Sequence, residues 1–223
     1  DASASRWVID FNERDQSEAS RYVRPWSHVL RHVYPERAQK DAVKYPRMVN
    51  EWWKYWNSRP AMRKAIKGFR EVLIIARHSS PVMLSRISVG PVMSDATVVL
   101  ASDSYVFQAI LSSSPHQMWV ITCGSTLGTV VRYTPSDVFE TFPRPYLTES
   151  SERALEAIGR TLDEERCEIM LRRELGLTAL YNKVNDPTLE DSADPDVARL
   201  RVIHRELDEA VMAAYGWDDV PLD

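Results

Sequence analysis

Only two cysteines, Cys123 and Cys167, occur among the 223 residues. That excludes a disulfide-stapled scaffold and a cysteine-rich zinc module, and it fits a reducing cytosol. Glycine is equally scarce, at seven residues. Neither G-x-G-x-x-G nor G-x-x-x-x-G-K-[ST] occurs, so no glycine-rich phosphate cradle is expected. No apolar run approaches the ~20 residues that a membrane span needs. No signal peptide opens the chain, whose residue 1 is Asp. These absences lead us to expect a soluble protein without membrane contact that begins partway into a longer polypeptide.

What is present is an ordinary globular balance, 44% hydrophobic and 27% charged, in a length that suits one large domain or two small ones. The net charge of −4 hides a division. Residues 1–147 carry 19 basic against 13 acidic side chains, a net of +6, while residues 148–223 carry 9 against 19, a net of −10. The window 21–86 holds 15 basic and 4 acidic side chains together with nine of the 21 aromatics. Positive charge concentrated in this way is the footprint of a polyanionic partner. It is equally what a surface cancelled by a folded-back acidic tail would display, and composition leaves both open.

Residues 6–11 alternate as a short strand would. A helix is predicted from about Glu18 to Val33, stopped ahead of Tyr34-Pro35 because a residue before proline disfavours the helical region. Pro46 suits the first turn of the next helix. Val49, Trp52, Trp53 and Trp56 then share one face, where core packing is favoured over a base-stacking platform. Ser58 is expected to cap a short helix with Pro60 in its first turn and Gly68 as its stop. Arg59, Arg63 and Lys67 recur every four residues on its outer face, a row that can track a phosphate backbone or simply be solvated.

From Glu71 the pattern changes to short apolar runs. Strands are expected at 72–76, 81–87, 97–101, 118–122 and 127–133, with a helix over 104–113. Beyond Pro143-Arg-Pro145 the pattern is helical throughout. Leu155, Ile158, Leu162 and Ile169 mark a long helix; a shorter one covers 177–184, and an acidic loop covers 186–196. Asp194-Pro195 opens the last helix and Gly216 closes it. The class expected is therefore α+β (mixed α/β), a mixed β-sheet with flanking helices followed by an all-helical C-terminal subdomain. The domains expected are 1–147 and 148–223, the second an acidic segment packed on the first.

A catalytic constellation is hard to find. Gly124-Ser-Thr-Leu-Gly128 departs from a nucleophile elbow, since its Ser comes one position early and a strand follows. Cys123 has no histidine or basic pair near it in sequence. His28 and His32 have a metal-ligating spacing, but no third ligand suggests itself and a surface role is favoured. Glu164-Glu165 sits on a solvated helix face. The pattern is that of a chain that binds rather than reacts.

Several stretches, in this order, resemble one family. They are Arg6-Trp-Val-Ile-Asp-Phe11, Tyr45-Pro-Arg47, Trp52-Trp53 with Arg59-Pro60-Ala61, and Ala76-Arg77. Then come Arg132-Tyr-Thr-Pro-Ser-Asp137, Phe139-Glu-Thr-Phe-Pro143, Gly176-Leu-Thr-Ala-Leu-Tyr-Asn182, and Leu207-Asp208 through Ala213-Ala-Tyr-Gly-Trp217. The ordered set is similar to the C-terminal half of MmeI-like, type IIL restriction–modification proteins and related adenine-specific DNA methyltransferases. There a target recognition domain is followed by a helical segment. Larger members join a nuclease, a methyltransferase and this region in one chain. Neither the Asn-Pro-Pro-Tyr/Phe motif nor the glycine-rich cofactor loop of the methyltransferase is present here. The resemblance thus implies no catalytic residue, metal or cofactor in this chain. S-adenosylmethionine, and Mg2+ if a nuclease is present, would belong to the parent polypeptide. The partners implied are double-stranded DNA and the methyltransferase domain of the same polypeptide, in a bacterial cytoplasm.

A methyltransferase that flips a base must hold the duplex in register, with phosphate contacts that position and base contacts that specify. Phosphate contacts are expected from Arg47, Lys54, Arg59, Arg63, Lys64 and Lys67, of which Arg47 is the most apt to be a packing residue. Base reading is expected where strands end. Arg77, His78, Ser79 and Ser80 leave the first strand, Ser94 and Asp95 enter the strand at 97–101, and Ser125, Thr126, Thr129 and Arg132 surround the 123–132 turn. Members of the family carry base-reading residues just ahead of the Arg-Tyr-Thr-Pro-Ser run. Arg77 and Arg132 lead, because an arginine fork matches guanine O6 and N7. Arg132 anchoring the turn through Asp137 is an equal alternative. Phe139–Pro143 is expected to cover the sheet edge, and Gly176–Asn182 and Ala213–Trp217 to dock the tail, which its charge turns away from DNA. Two other readings compete: a protein-interaction module that uses the acidic tail without binding DNA, and a hydrolase using Ser125 or Cys123.

Overall fold

The computed structural model describes residues 6–79, 81–127 and 130–217. They form an α+β fold in two compact units, one within Ala4–Lys67 and one within Gly68–Asp223.

The first unit is built from short helices, α1 (Gln16–Ser20), α2 (Val23–His32), α3 (Tyr34–Arg37), α4 (Pro46–Asn50) and α5 (Pro60–Ala65). The single helix expected over 18–33 is broken at Arg21-Tyr22. Pro25 is the cause. Inside one continuous helix its ring would meet the carbonyl four residues back, whereas in the first turn of α2 its missing N–H is not needed. The helix does stop ahead of Tyr34-Pro35, as expected, with Val33 as its C-cap, and Tyr34-Pro35 then opens α3. Residues 6–11 form no strand; Phe11 is instead buried, its ring 5.9 Å from Trp26 and 6.4 Å from Tyr22. Because α4 ends at Asn50, Trp52 and Trp53 lie beyond it, and Trp52 packs 4.8 Å from Trp26 and 4.9 Å from Tyr34. Of the three tryptophans expected on that face, Trp52 is buried and Trp53 packs partly buried against the core, while Trp56 is exposed. Ser58 does not cap α5. Arg59 takes that position with a left-handed backbone, φ 56°, and the Ser58 hydroxyl donates to the Glu13 carboxylate.

The second unit contains strands β1 (Glu71–Ala76), β2 (His78–Ser79), β3 (Leu84–Ser88), β4 (Thr97–Leu100), β5 (Ser125–Leu127) and β6 (Val130–Arg132). Its helices are α6 (Tyr105–Leu111), α7 (Ser114–Cys123), α8 (Glu149–Arg172), α9 (Leu177–Val184) and α10 (Pro195–Tyr215), with a π-helical turn at Pro135–Phe139. In place of the one mixed sheet expected, two three-stranded sheets form, β3-β1-β4 and β2-β6-β5, in which every described pairing is antiparallel. Residues 118–122, expected as a strand, lie in α7. Ser113 caps that helix and Pro115 occupies its first turn, so Val120 faces inward while Met118 and Ile121 face solvent. The strand expected at 127–133 is two short ones, β5 and β6, paired as a hairpin.

The compact units break at Lys67/Gly68 rather than at 147/148. Leu73 and Leu84 of the first sheet share one buried cluster with Leu155 and Leu162 of α8 and Leu200 and Leu207 of α10. The helical tail therefore completes the core that the sheet begins. Where α6 crosses α8, a Cβ on Gly159 would lie 2.3 Å from the Tyr105 carbonyl oxygen, so only glycine admits this approach. The charge follows the same break: residues 4–67 hold 14 basic and 7 acidic side chains, a net of +7, and residues 68–223 hold 14 and 24, a net of −10.

Candidate nucleic-acid interface

Cross-strand partners in an antiparallel sheet point to the same face, and neighbours along a strand to opposite faces. In the β2-β6-β5 sheet, Arg132 on the central strand pairs with His78 on one side and Ser125 on the other. These three side chains form one row across the sheet, and all three are exposed. The next row, Ser79, Val131 and Thr126, faces the other way, and Val131 packs on the core. Three strands separated by ~4.8 Å span about 10 Å. The segment around 78 is thereby brought beside the hairpin that carries 125 and 132, far from it in sequence. Ser80 and Thr129 lie outside the described residues.

Arg132 does not anchor the turn. The Asp137 carboxylate accepts from the Ser136 hydroxyl at 2.9 Å, and among the described residues no hydrogen bond or ion pair engages the Arg132 guanidinium. Arg77 is partly held. Its Nε donates to the Asp95 carbonyl at 2.8 Å, which leaves the two Nη groups unengaged among the described residues. Its own carbonyl accepts from the Tyr133 amide at 2.8 Å, and its amide donates to Ala96 at 2.8 Å, so Arg77 stitches the two sheets together. Ser94 shapes the turn before β4, its hydroxyl accepting from the Ala96 amide at 3.2 Å, and the Asp95 side chain is exposed.

The floor under the row is a buried hydrogen-bond chain. His116 Nδ1 lies 2.7 Å from the Leu111 carbonyl, which can only accept, so Nδ1 carries the proton. Nε2 is then the acceptor, and the Tyr133 hydroxyl donates to it across 3.2 Å. Burial pushes the His116 imidazole down to about 4, opposed by the Leu111 carbonyl, and raises the Tyr133 phenol far above its ordinary value. Phe142 closes the cluster with its ring 4.8 Å from His116. Tyr133 follows Arg132 directly, so this chain fixes the level at which the row stands.

The expected phosphate contacts divide. Arg47 pairs with Glu51 at 3.1 Å and Glu13 at 3.2 Å, as suits a packing residue. Lys54 is 7% exposed and tied to Glu51, so it is not available to a phosphate. Arg63 donates to Asp10 at 2.6 Å and to the Ser58 carbonyl at 2.7 Å, which removes it from the row expected on α5. Arg59 is half-buried at the helix start. Lys64 and Lys67 remain exposed. The residues that sequence reasoning passed over are on α2, where Arg24, His28 and Arg31 are all exposed. Their spacing of four and three was the available signal.

Residues 2–146 match the family described as MmeI, target recognition domain. The chain belongs to this family. Its fold is similar to the solved structure of the Type IIL restriction-modification enzyme MmeI in complex with DNA, with a TM-score of 0.74 and 20% sequence identity. The match covers 97% of this chain and 27% of that one, so the chain spans about a quarter of the MmeI polypeptide. No curated protein matches it.

The family match ends at residue 146, while the fold match continues through the helical tail. There the carboxylates pair with arginines of the tail itself. Glu149 meets Arg153 and Glu156 meets Arg160, each at 3.0 Å; Glu165 meets Arg199 at 2.6 Å and Asp194 meets Arg173 at 2.7 Å. Among the described residues of this MmeI-family chain, no group of three or more His, Cys, Asp or Glu side chains is placed to hold a metal ion. None of its described helices is long and apolar enough to cross a membrane. Ser125, one of the two nucleophiles considered, opens a strand beside Arg132 rather than a histidine. Cys123 is an exposed free thiol.

Proposed function

We propose that this chain reads the sequence of double-stranded DNA for a site-specific adenine-N6 methyltransferase or restriction–modification protein, whose catalysis and S-adenosylmethionine belong to other parts of the parent polypeptide. The chain itself is a recognition module and not an enzyme, and it acts in the bacterial cytoplasm. The observation that carries this reading is the His78–Arg132–Ser125 row, a guanidinium unengaged among the described residues and flanked by two polar side chains on a supported sheet. A major groove ~12 Å wide admits a two-stranded ribbon, and the β5–β6 hairpin has that form. Arg132 and the two Nη groups of Arg77 supply forks for guanine O6 and N7, the carboxylate of Asp95 can accept from cytosine N4, and Lys64 and Lys67 supply phosphate contacts. Membership of the MmeI target recognition family supports the same reading.

The test is binding of the chain to a randomised duplex library, followed by selection and sequencing. With Arg132→Ala, discrimination should fall ~10–100-fold at one base position, the equivalent of ~1–3 kcal/mol, and stay unchanged at the others. An equal loss at every position, or none, would remove Arg132 from the reading role.

A further inference from the structure

We infer that the solvent face of α2, formed by Arg24, His28 and Arg31 with Arg21 immediately before it, is a second contact surface for the phosphate backbone of the duplex. The inference rests on the reading of this chain as a DNA-recognition module. At about 100° per residue, Arg24, His28 and Arg31 fall within an arc of about 60°. The opposite side carries Val29, which is buried, and Trp26 and Val33, which pack on the first unit's core. One helix face therefore builds the unit, and the exposed one carries Arg24, His28 and Arg31.

Three observations set this face apart from an ordinary solvated helix. First, α2 contains no acidic residue, and among the described residues the side chains of Arg21, Arg24 and Arg31 have no hydrogen bond or ion pair. The exposed helix α8 is different, interleaving its charges as Glu149–Arg153 and Glu156–Arg160. Second, Arg24 stands in the first turn of α2. A cation there opposes the helix dipole, whereas Arg31 and His32 in the last turn agree with it. Local helix stability accounts for the last turn and not for Arg24. Third, Arg24 and Arg31 lie on the same face two turns apart, with His28 between them. Arg24 and Arg31 are seven residues apart, about 10 Å along the axis, a reach that suits two phosphates of one strand. The α5 row cannot do the same work, because Arg63 is committed to Asp10.

The experiment is a salt series with a fluorescent duplex of random sequence, read by anisotropy, on the chain and on the double variant Arg24→Gln/Arg31→Gln. Each phosphate contact contributes ~0.9 to the slope of log affinity against log salt. The variant should lower that slope by about 2 and lose about tenfold less affinity than the original chain between 50 and 200 mM salt. Its thermal melt, followed by circular dichroism, should not fall. The double variant Arg153→Gln/Arg160→Gln carries the same change in net charge and should keep the original slope. An unchanged slope in the α2 variant, with the original chain still binding, overturns the inference and leaves the recognition reading intact. An equal drop in both variants also overturns it, since net charge alone would explain the result. Failure of the original chain to bind any duplex at low salt overturns the recognition reading, and this inference with it.

Discussion

Acidification from pH 7 to pH 5 should destabilise the second unit by about 2 kcal/mol for each of two histidines, His116, which is buried, and His204, which is half-buried. His116 and His204 are both pushed down to about 4, in each case mainly by burial, with Arg166 adding to the effect at His204. In the unfolded chain each imidazole titrates near 6.5. A depressed folded value means that protons bind preferentially to the unfolded chain. The stabilisation is therefore complete above pH 6.5 and is lost as the pH falls from 6.5 towards 4. At pH 5 the unfolded state is favoured about 30-fold per histidine, which is about 2 kcal/mol. Asp208 works in the opposite direction. Burial raises its carboxyl, offset by the Ser114 hydroxyl and amide, so protonation near its raised value returns part of the loss. Glu13, Glu165 and Asp194 are lowered, by Ser58, Arg199 and Arg173 respectively, and they matter only as the pH falls to about 4.5 and below. Urea unfolding at pH 7, 6 and 5, followed by circular dichroism of the long helices α8 and α10, measures the effect. His116→Gln should remove about half of the pH-dependent loss. Equal unfolding free energies at pH 7 and 5, or an undiminished loss in that variant, would refute the assignment of imidazoles kept neutral by their surroundings.

Arg63→Gln should act on stability rather than on DNA. Breaking the bond to the largely buried Asp10 should cost about 1.5–3 kcal/mol in urea unfolding followed by tryptophan fluorescence, most tryptophans being in the first unit. Gly159→Ala should destabilise by ~1–3 kcal/mol despite alanine's better helix propensity, because the Tyr105 backbone must move; a gain in stability would contradict the close approach. Tyr133→Phe leaves His116 Nε2 without its donor, at about 1–3 kcal/mol. The same variant should blur base discrimination at the position assigned to Arg132 while leaving the salt dependence of binding unchanged.

Short-range signals were the legible part of this fold. Asp194-Pro195 and Gly216 bound α10, Ser104 caps α6, and residues 177–184 form α9, each through chemistry confined to a few neighbours. The failures share a physical origin. Met118–Thr122 has the apolar density of a buried strand, and only the Ser113 cap with Pro115 in the first turn marks it as a helix. Pro25 was a breaker in plain view, and it divides α1 from α2. At the interface, the residues around 78, 125 and 132 were each legible as strand ends. Ser125 and Arg132 share a hairpin, but their union with His78 depends on the pairing of β2 with β6, which is distant in sequence and which periodicity does not report. The α5 row failed for a similar reason. Arg63 meets Asp10 across 53 positions, and that partner does not lie on the helix whose spacing suggested a phosphate track.

The alternation of faces along β6 separates what the sheet displays from what holds it up. Arg132 points to solvent, while Val131 and Tyr133 on either side of it meet the interior. Exchanging the side chain at 78, 125 or 132 therefore disturbs no buried neighbour, and the scaffold tolerates a wide vocabulary at those three places. On the proposed reading, a side chain exchanged in that row would change the base that is read and leave the fold in place.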